Sequence, residues 1–324
     1  MKFSGVFQFL GFLQKNLVYM IVVSIIFGII FGSRVDAKFL QILIFPLTFL
    51  MIFPQMVNLK VSTVLTKPNT ALKLTSLVLN FIFLPFFAFF LGKIFFPDSP
   101  FDALGLMLIA LLPTGSMTIA YTGMTKGSLP AAIRISILSL ILAAFLTPLY
   151  LYFLMGAVVS IDFLLVMKKI LIIIFLPLIL GILIRYFVVK KVGEENYKEQ
   201  FGKKIGVFSV LGVLGMVFSV MAMKAPFILE NIKHTLYNIL PIFLFYFFAF
   251  GVSTVVGKIF FTKKDALALV FGTSLRHLAI ALAVAVTAFG EDGLYVALII
   301  SLAFVFQVKI GAIYAKFSDR IFEK

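Results

Sequence analysis

Hydrophobic positions run along this chain in long unbroken stretches, and the polar positions gather in short gaps between them. A helix needs roughly 20 apolar residues to cross a hydrocarbon layer. Breaks placed at charged and Gly/Pro-rich points leave spans near 17–32, 39–57, 72–95, 103–124, 129–157, 164–188, 205–223, 236–260, 266–289 and 293–315. The pattern predicts an all-α polytopic membrane protein with about ten transmembrane helices. The spans and their short connections use up the chain, leaving no room for a separate soluble domain.

Composition sharpens this reading. Of 324 residues, 62% are hydrophobic and only 13% charged, against about 25% charged in soluble domains. The formal charge of +15 points away from nucleic acid, because the lysines sit in short loops where they orient the chain in the membrane. The second loop holds Lys60, Lys67 and Lys73, the fourth Lys126, the sixth Lys190, Lys191, Lys198, Lys203 and Lys204, and the eighth Lys258, Lys263 and Lys264. The odd loops offer Asp98, Asp102, Asp162, Glu291 and Asp292 instead; Lys38, Lys168, Lys169 and Lys224 run against the contrast without reversing it. Both termini are therefore expected in the cytoplasm, with the chain in the cell membrane. Lys2 and Lys15 precede no small-residue cleavage site, so the amino terminus is expected to be retained. The absence of cysteine excludes thiolate metal sites and thiol redox chemistry. No His-rich motif, aspartate pair or metal-ligand cluster supports an enzyme, and no cofactor or metal is expected.

The chain also repeats itself. Gly92-Lys93-Ile94-Phe95-Phe96 recurs as Gly257-Lys258-Ile259-Phe260-Phe261, and Asp102-Ala103-Leu104 recurs as Asp265-Ala266-Leu267. Leu129, Ala132 and Ser136 fall opposite Leu294, Ala297 and Ser301 at a 165-residue offset. Residues 1–160 and 161–324 then read as two five-helix repeats. An odd number of spans per copy makes the second enter from the opposite side, the inverted design of many secondary transporters.

Such transporters bind solute near the midplane, where interrupted helices expose backbone groups. The fourth span carries Pro113-Thr114-Gly115-Ser116-Met117-Thr118, and proline removes a donor and collides with the preceding turn. Its partner in the ninth span is Gly272-Thr273-Ser274-Leu275-Arg276-His277. Pro113, Gly115 and Gly272 are read as helix-breaking positions. Arg276 lies 11 residues after Asp265, roughly 16 Å into a ~30 Å core. Arg134 follows Lys126 by 8 residues, or roughly 12 Å. No carboxylate falls inside a span, and a buried arginine costs at least ~2.5 kcal/mol on insertion scales. Each arginine therefore needs an anionic solute as counter-charge, or else carbonyls at the breaks. His277 is a candidate proton carrier or a packing histidine. The Gly28 and Gly32 pair fits close helix packing. Asn58, Asn80, Gln55 and Gln307 line a cavity or bridge helices.

With these residues in view, the chain resembles the bile acid:sodium symporter superfamily over nearly its whole length. The run Leu278-Ala279-Ile280-Ala281-Leu282-Ala283-Val284-Ala285 is most similar to its arsenical-resistance permease branch. The resemblance implies panel and core domains assembled from both repeats, with discontinuous fourth and ninth helices crossing beside the solute cavity. By motif alignment the sodium-site asparagine, glutamate and glutamine fall at Ile119, Val270 and Ser274, leaving hydroxyls such as Thr118, Ser136 and Ser274 as a possible ion site. The arsenical branch's fourth-helix cysteine is absent and its ninth-helix glutamate falls at His277.

The reading that follows is a sodium-independent secondary transporter of a small or organic anion. Arg276, His277, Arg134, Thr114, Ser116, Thr118, Thr273 and Ser274 are its candidate substrate contacts, and lipid and an anionic solute its partners. The alternatives are an arsenite or antimonite efflux permease, a sodium-coupled bile-acid-like symporter, and a receptor or scaffold on a transporter fold.

Overall fold

The computed structural model describes residues 3–59, 69–113, 115–156, 159 and 162–323. Among them the regular elements are helices. In order these are α1 (Phe3–Lys15), α2 (Leu17–Gly32), a 3-10 turn (Ala37–Leu43) running into α3 (Ile44–Val57), α4 (Thr70–Phe95), α5 (Pro100–Leu111), α6 (Ser116–Met124), α7 (Leu129–Met155), α8 (Phe163–Val192) and α9 (Lys203–Met223). Two short helices, Ala225–Glu230 and Ile232–Tyr237, lead to α10 (Ile239–Phe260), α11 (Lys263–Ser274), α12 (Leu278–Ala288) and α13 (Gly293–Phe322).

Among the described residues seven helices are long and apolar enough to cross a membrane, and α1 with α2, bent 89° at their junction, would make an eighth. The shortfall from ten lies at the two predicted breaks. There α5 with α6, and α11 with α12, are pairs of helices of 12 and 9, and 12 and 11 residues, each half too short to span alone. Large apolar side chains face outward, among them Phe45, Leu164 and Phe153 at 76%, 75% and 73% exposure. Water would penalise that surface and lipid does not, so the chain is a multi-pass integral membrane protein.

The chain forms two compact units, each drawing on both halves of the sequence: Met1–Leu59 with Leu171–Ile232, and Lys60–Ile170 with Lys233–Lys324. The second boundary falls inside α8. In the first unit α9 packs on α2 and α3. A Cβ at Gly28 would stand 2.7 Å from the Phe218 carbonyl, so α2 and α9 approach at backbone distance. Asn58 bridges within this unit, its Nδ2 donating to the Gly202 carbonyl at 3.0 Å, and the Tyr197 hydroxyl donates to the Val57 carbonyl at 2.7 Å.

The second unit carries both broken pairs. Helices α4, α7 and α11 meet in an apolar cluster of Leu72, Leu79, Ala131, Ala132, Ile135, Ala268 and Leu269. Sequence-matched positions make matching contacts: a Cβ at Gly92 would lie 3.2 Å from that of Ala103, and one at Gly257 3.1 Å from that of Ala266. Within α4, residues Leu79–Phe83 widen into a π-turn. Pro85 has no N–H to give the Phe81 carbonyl, and the Tyr150 hydroxyl donates to that carbonyl instead. The turn carries Asn80 into the interior, where it is fully buried.

Candidate functional site

The two breaks lie side by side in the second unit. Helix α5 ends at Leu111 and α6 restarts at Ser116, with Gly115 in extended conformation (φ −137°). Helix α11 ends at Ser274 and α12 restarts at Leu278. Between them Pro113 and Arg276 pair as an antiparallel bridge, and the His277 N–H donates to the Leu112 carbonyl at 2.8 Å.

A helix C-terminus leaves its last carbonyls without partners, and buried ones must find donors elsewhere. Pro113 frees the Ile109 carbonyl, four residues back, because proline has no N–H. Arg276 Nε donates to that oxygen at 3.1 Å, and Arg276 Nη2 donates to the Ala110 carbonyl. The Thr147 hydroxyl donates to the Leu111 carbonyl at 3.2 Å. Together with the His277 bond, the four consecutive carbonyls from Ile109 to Leu112 all accept hydrogen bonds. Arg276 Nη1 donates to its own helix end at the Thr273 carbonyl and to Asn80 Oδ1, both at 2.7 Å.

A second set of bonds holds the arginine's backbone. Its N–H donates to Gln307 Oε1 at 2.6 Å and its carbonyl accepts from Gln307 Nε2 at 3.0 Å. The fully buried Tyr246 hydroxyl donates to the same Oε1 at 3.1 Å, and Asn80 Nδ2 to the Gly272 carbonyl at 3.1 Å. Arg276 is 2% exposed, and among the described residues no carboxylate pairs with it. Neutral oxygens solvate the guanidinium without cancelling its charge.

The structure places the predicted residues as follows. Pro113, Gly115, Arg276 and His277 meet at the crossing; a Cβ on Gly115 would stand 3.6 Å from the His277 ring. His277 caps α12, its Nδ1 accepting from the Ile280 N–H at 3.4 Å, so Nε2 carries the proton of the neutral ring. Thr273 is buried with its hydroxyl unpartnered. The Thr118 hydroxyl donates to the Phe271 carbonyl at 3.0 Å, and Ser274 Oγ lies 3.2 Å from Ser253 Oγ. Ser136 is buried in α7, and Ser116 is exposed at the start of α6. Thr114 lies outside the described residues.

One expectation is corrected. Gly272 is not at a break: it lies inside α11, where a Cβ would stand 2.8 Å from Ile135 Cγ2, so glycine serves the approach of α7. Arg134 is not brought to the crossing; it lines a separate cavity with Asn69, Lys73, Ser128 and Asp265. Sequence reasoning missed Thr147 and Tyr246, whose roles depend on carbonyls and amides supplied by distant segments.

Comparison with known proteins gives the chain a family. A family model described as the Sodium Bile acid symporter family matches residues 45–231. The chain is 24% identical over 340 residues to the arsenical-resistance protein Acr3 of Alkaliphilus metalliredigens, covering 96% of this chain and 93% of that protein. It is 23% identical to the uncharacterized protein YbaS of Bacillus subtilis, covering 74% and 76%. With the uncharacterized transporter slr0944 of Synechocystis it shares 24% identity, covering 87% and 82%.

Proposed function

Since the chain belongs to the Sodium Bile acid symporter family, a family of transporters and not of enzymes, we propose that it carries a small or organic anion across the cell membrane without sodium. In this reading the ten-span count treats each broken pair as one span, the two five-helix copies are inverted, and both termini are cytoplasmic. One observation carries the proposal: the buried positive charge of Arg276 has no carboxylate partner among the described residues. A charge in a low-dielectric interior attracts an anion far more strongly than it would in water. The unpartnered Thr273 hydroxyl and the His277 Nε2–H are the groups at the crossing best suited to meet it.

Sodium independence rests on the same group. Half-helix ends and unwound carbonyls are where transporters of this kind coordinate cations. Here the oxygens of Ile109, Ala110, Thr273 and Asn80 already accept from a guanidinium.

The second reading is arsenite efflux, which the name of the Alkaliphilus relative and the 96% coverage favour. Flux into proteoliposomes separates the two. Organic-anion flux that survives replacement of sodium by choline supports the proposal; arsenite flux alone moves the protein to the second reading, and flux that requires sodium sinks sodium independence. Arg276→Lys keeps the charge but loses the planar fork. It is expected to lower flux at least tenfold in protein that still inserts, whereas undiminished flux would remove Arg276 from the site.

A further inference from the structure

A cavity of about 160 Å³ opens in the second unit where α4, α7 and α11 begin, away from the crossing. Lys73 and Arg134 line it with Asn69, Ser128 and Asp265. Asp265 is engaged, its Oδ2 accepting from Asn69 Nδ2 at 3.2 Å, and Arg134 Nε donates to the Pro130 carbonyl at 3.1 Å. Among the described lining residues, two cationic side chains thus stand with one carboxylate. Ser128, which precedes α7, and Thr262, which precedes α11, make no side-chain cap; the first-turn N–H groups of both helices therefore add positive potential.

The repeat supplies the control. At the 165-residue offset Lys73 corresponds to Asn238 and Arg134 to Ile299, and Ala268 corresponds to Gly105 in the matched Asp-Ala-Leu segment. At those positions the space is filled: Asn238 and Ile299 are fully buried, and a Cβ on Gly105 would stand 2.8 Å from that of Ile299. The same helix arrangement therefore packs shut when these positions are neutral, and stays open where they are Lys73 and Arg134.

We propose that this cavity is a binding site for a small oxyanion of phosphate or sulfate type, held by Lys73 and Arg134. Its volume is close to that of a cavity that admits one benzene, which suits a tetrahedral oxyanion and excludes a steroid-sized one. The guanidinium fork matches such an anion bidentately and the ammonium adds a point charge. The proposal goes beyond anion transport, since it requires only that an oxyanion bind. The oxyanion is supplied either by a soluble ion or by the phosphate of a lipid headgroup.

The test is binding, measured on the full chain in detergent without any gradient. Inorganic phosphate and sulfate are titrated at constant ionic strength made up with chloride, on wild type, Arg134→Gln, Lys73→Gln, Arg134→Lys and Lys190→Gln, the last an equal charge change at the end of α8. Saturable binding should weaken at least tenfold in Arg134→Gln and several-fold in Lys73→Gln, recover in part in Arg134→Lys, and stay unchanged in Lys190→Gln. Absence of saturable binding in wild type, or equal weakening in the Lys190 variant, overturns the site. Repeating the titration in phosphatidylcholine nanodiscs with and without phosphatidic acid identifies the source: a headgroup if the acidic lipid displaces phosphate through Arg134, a soluble ion if phosphate still binds. Loss of this binding with anion flux intact would leave the transport reading standing, and the converse would leave the site.

Discussion

The two ends of the second unit are made from matched segments and have come out differently. At one end Asn69 Nδ2 donates to Asp265 at 3.2 Å; at the other, His234 Nε2 lies 2.6 Å from Asp102 Oδ2. Asn69 and His234 are separated by the 165-residue offset, and Asp102 and Asp265 are matched in the repeat. Each aspartate, in the first turn of a broken pair, is thus held from the other half of the sequence: Asp265 by Asn69, the N-cap of α4, and Asp102 by His234 in the short helix before α10. Around this shared brace the surroundings diverge. One end holds Lys73, Arg134 and an open cavity; the other holds buried Asn238, Ile299 and Gly105. The helix terminations follow suit. Helix α6 ends in a Schellman motif, with Gly127 N–H on the Thr122 carbonyl and Lys126 N–H on the Gly123 carbonyl. That puts Lys126 in the left-handed region at φ 56°, where α12 uses Gly290 at φ 59°. The basic end retains a lysine at a position whose backbone favours glycine, and the lesson is that one packing plan serves either as a seal or as a charged opening.

The comparison breaks most sharply if charge is moved to the filled positions. Ile299→Arg buries a cation with no carboxylate arranged for it and should cost about 3–5 kcal/mol, while Arg134→Ile should change stability by less than about 1 kcal/mol; thermal unfolding in detergent measures both, and equal losses would refute the contrast. Gly105→Ala drives a methyl into Ile299 and should cost about 1–3 kcal/mol. Its counterpart Ala268→Gly should cost only about 0.5–1 kcal/mol. His234→Ala leaves the buried Asp102 carboxyl without its ring partner, a loss of about 2 kcal/mol, against about 1 kcal/mol for Asn69→Ala, which forfeits the cap on Leu72 N–H. Reversal of that order would show that the two braces are not alike. The smallest effect is a gain: Lys126→Gly should raise stability by about 0.5–1 kcal/mol and Gly290→Ala lower it by a similar amount, both readable as shifts in melting temperature.

Local rules made much of this legible beforehand. Pro113 and Gly115 announce a break because one lacks a donor and the other tolerates extended backbone, and the structure breaks there. Gly272 obeys a different rule, close approach to Ile135, and a glycine beside a break gives no local sign of which rule applies. Arg134 stands five residues into α7, about 7.5 Å along it, because the Schellman turn and Gly127-Ser128 use up residues before α7 begins at Leu129. The need of Arg276 for partners was readable from the lack of carboxylates. Their identity was not, since Asn80, Ile109 and Gln307 reach it only through tertiary structure.

Pro113 and Arg276 pair at matched places in the two breaks, and neither could stand at both. Two arginines there would set like charges against each other in a dry interior. Two prolines would leave the freed carbonyls of both helices with no donor. The junction joins a side that supplies acceptors to one whose side chain supplies donors, so it closes only because the two positions differ.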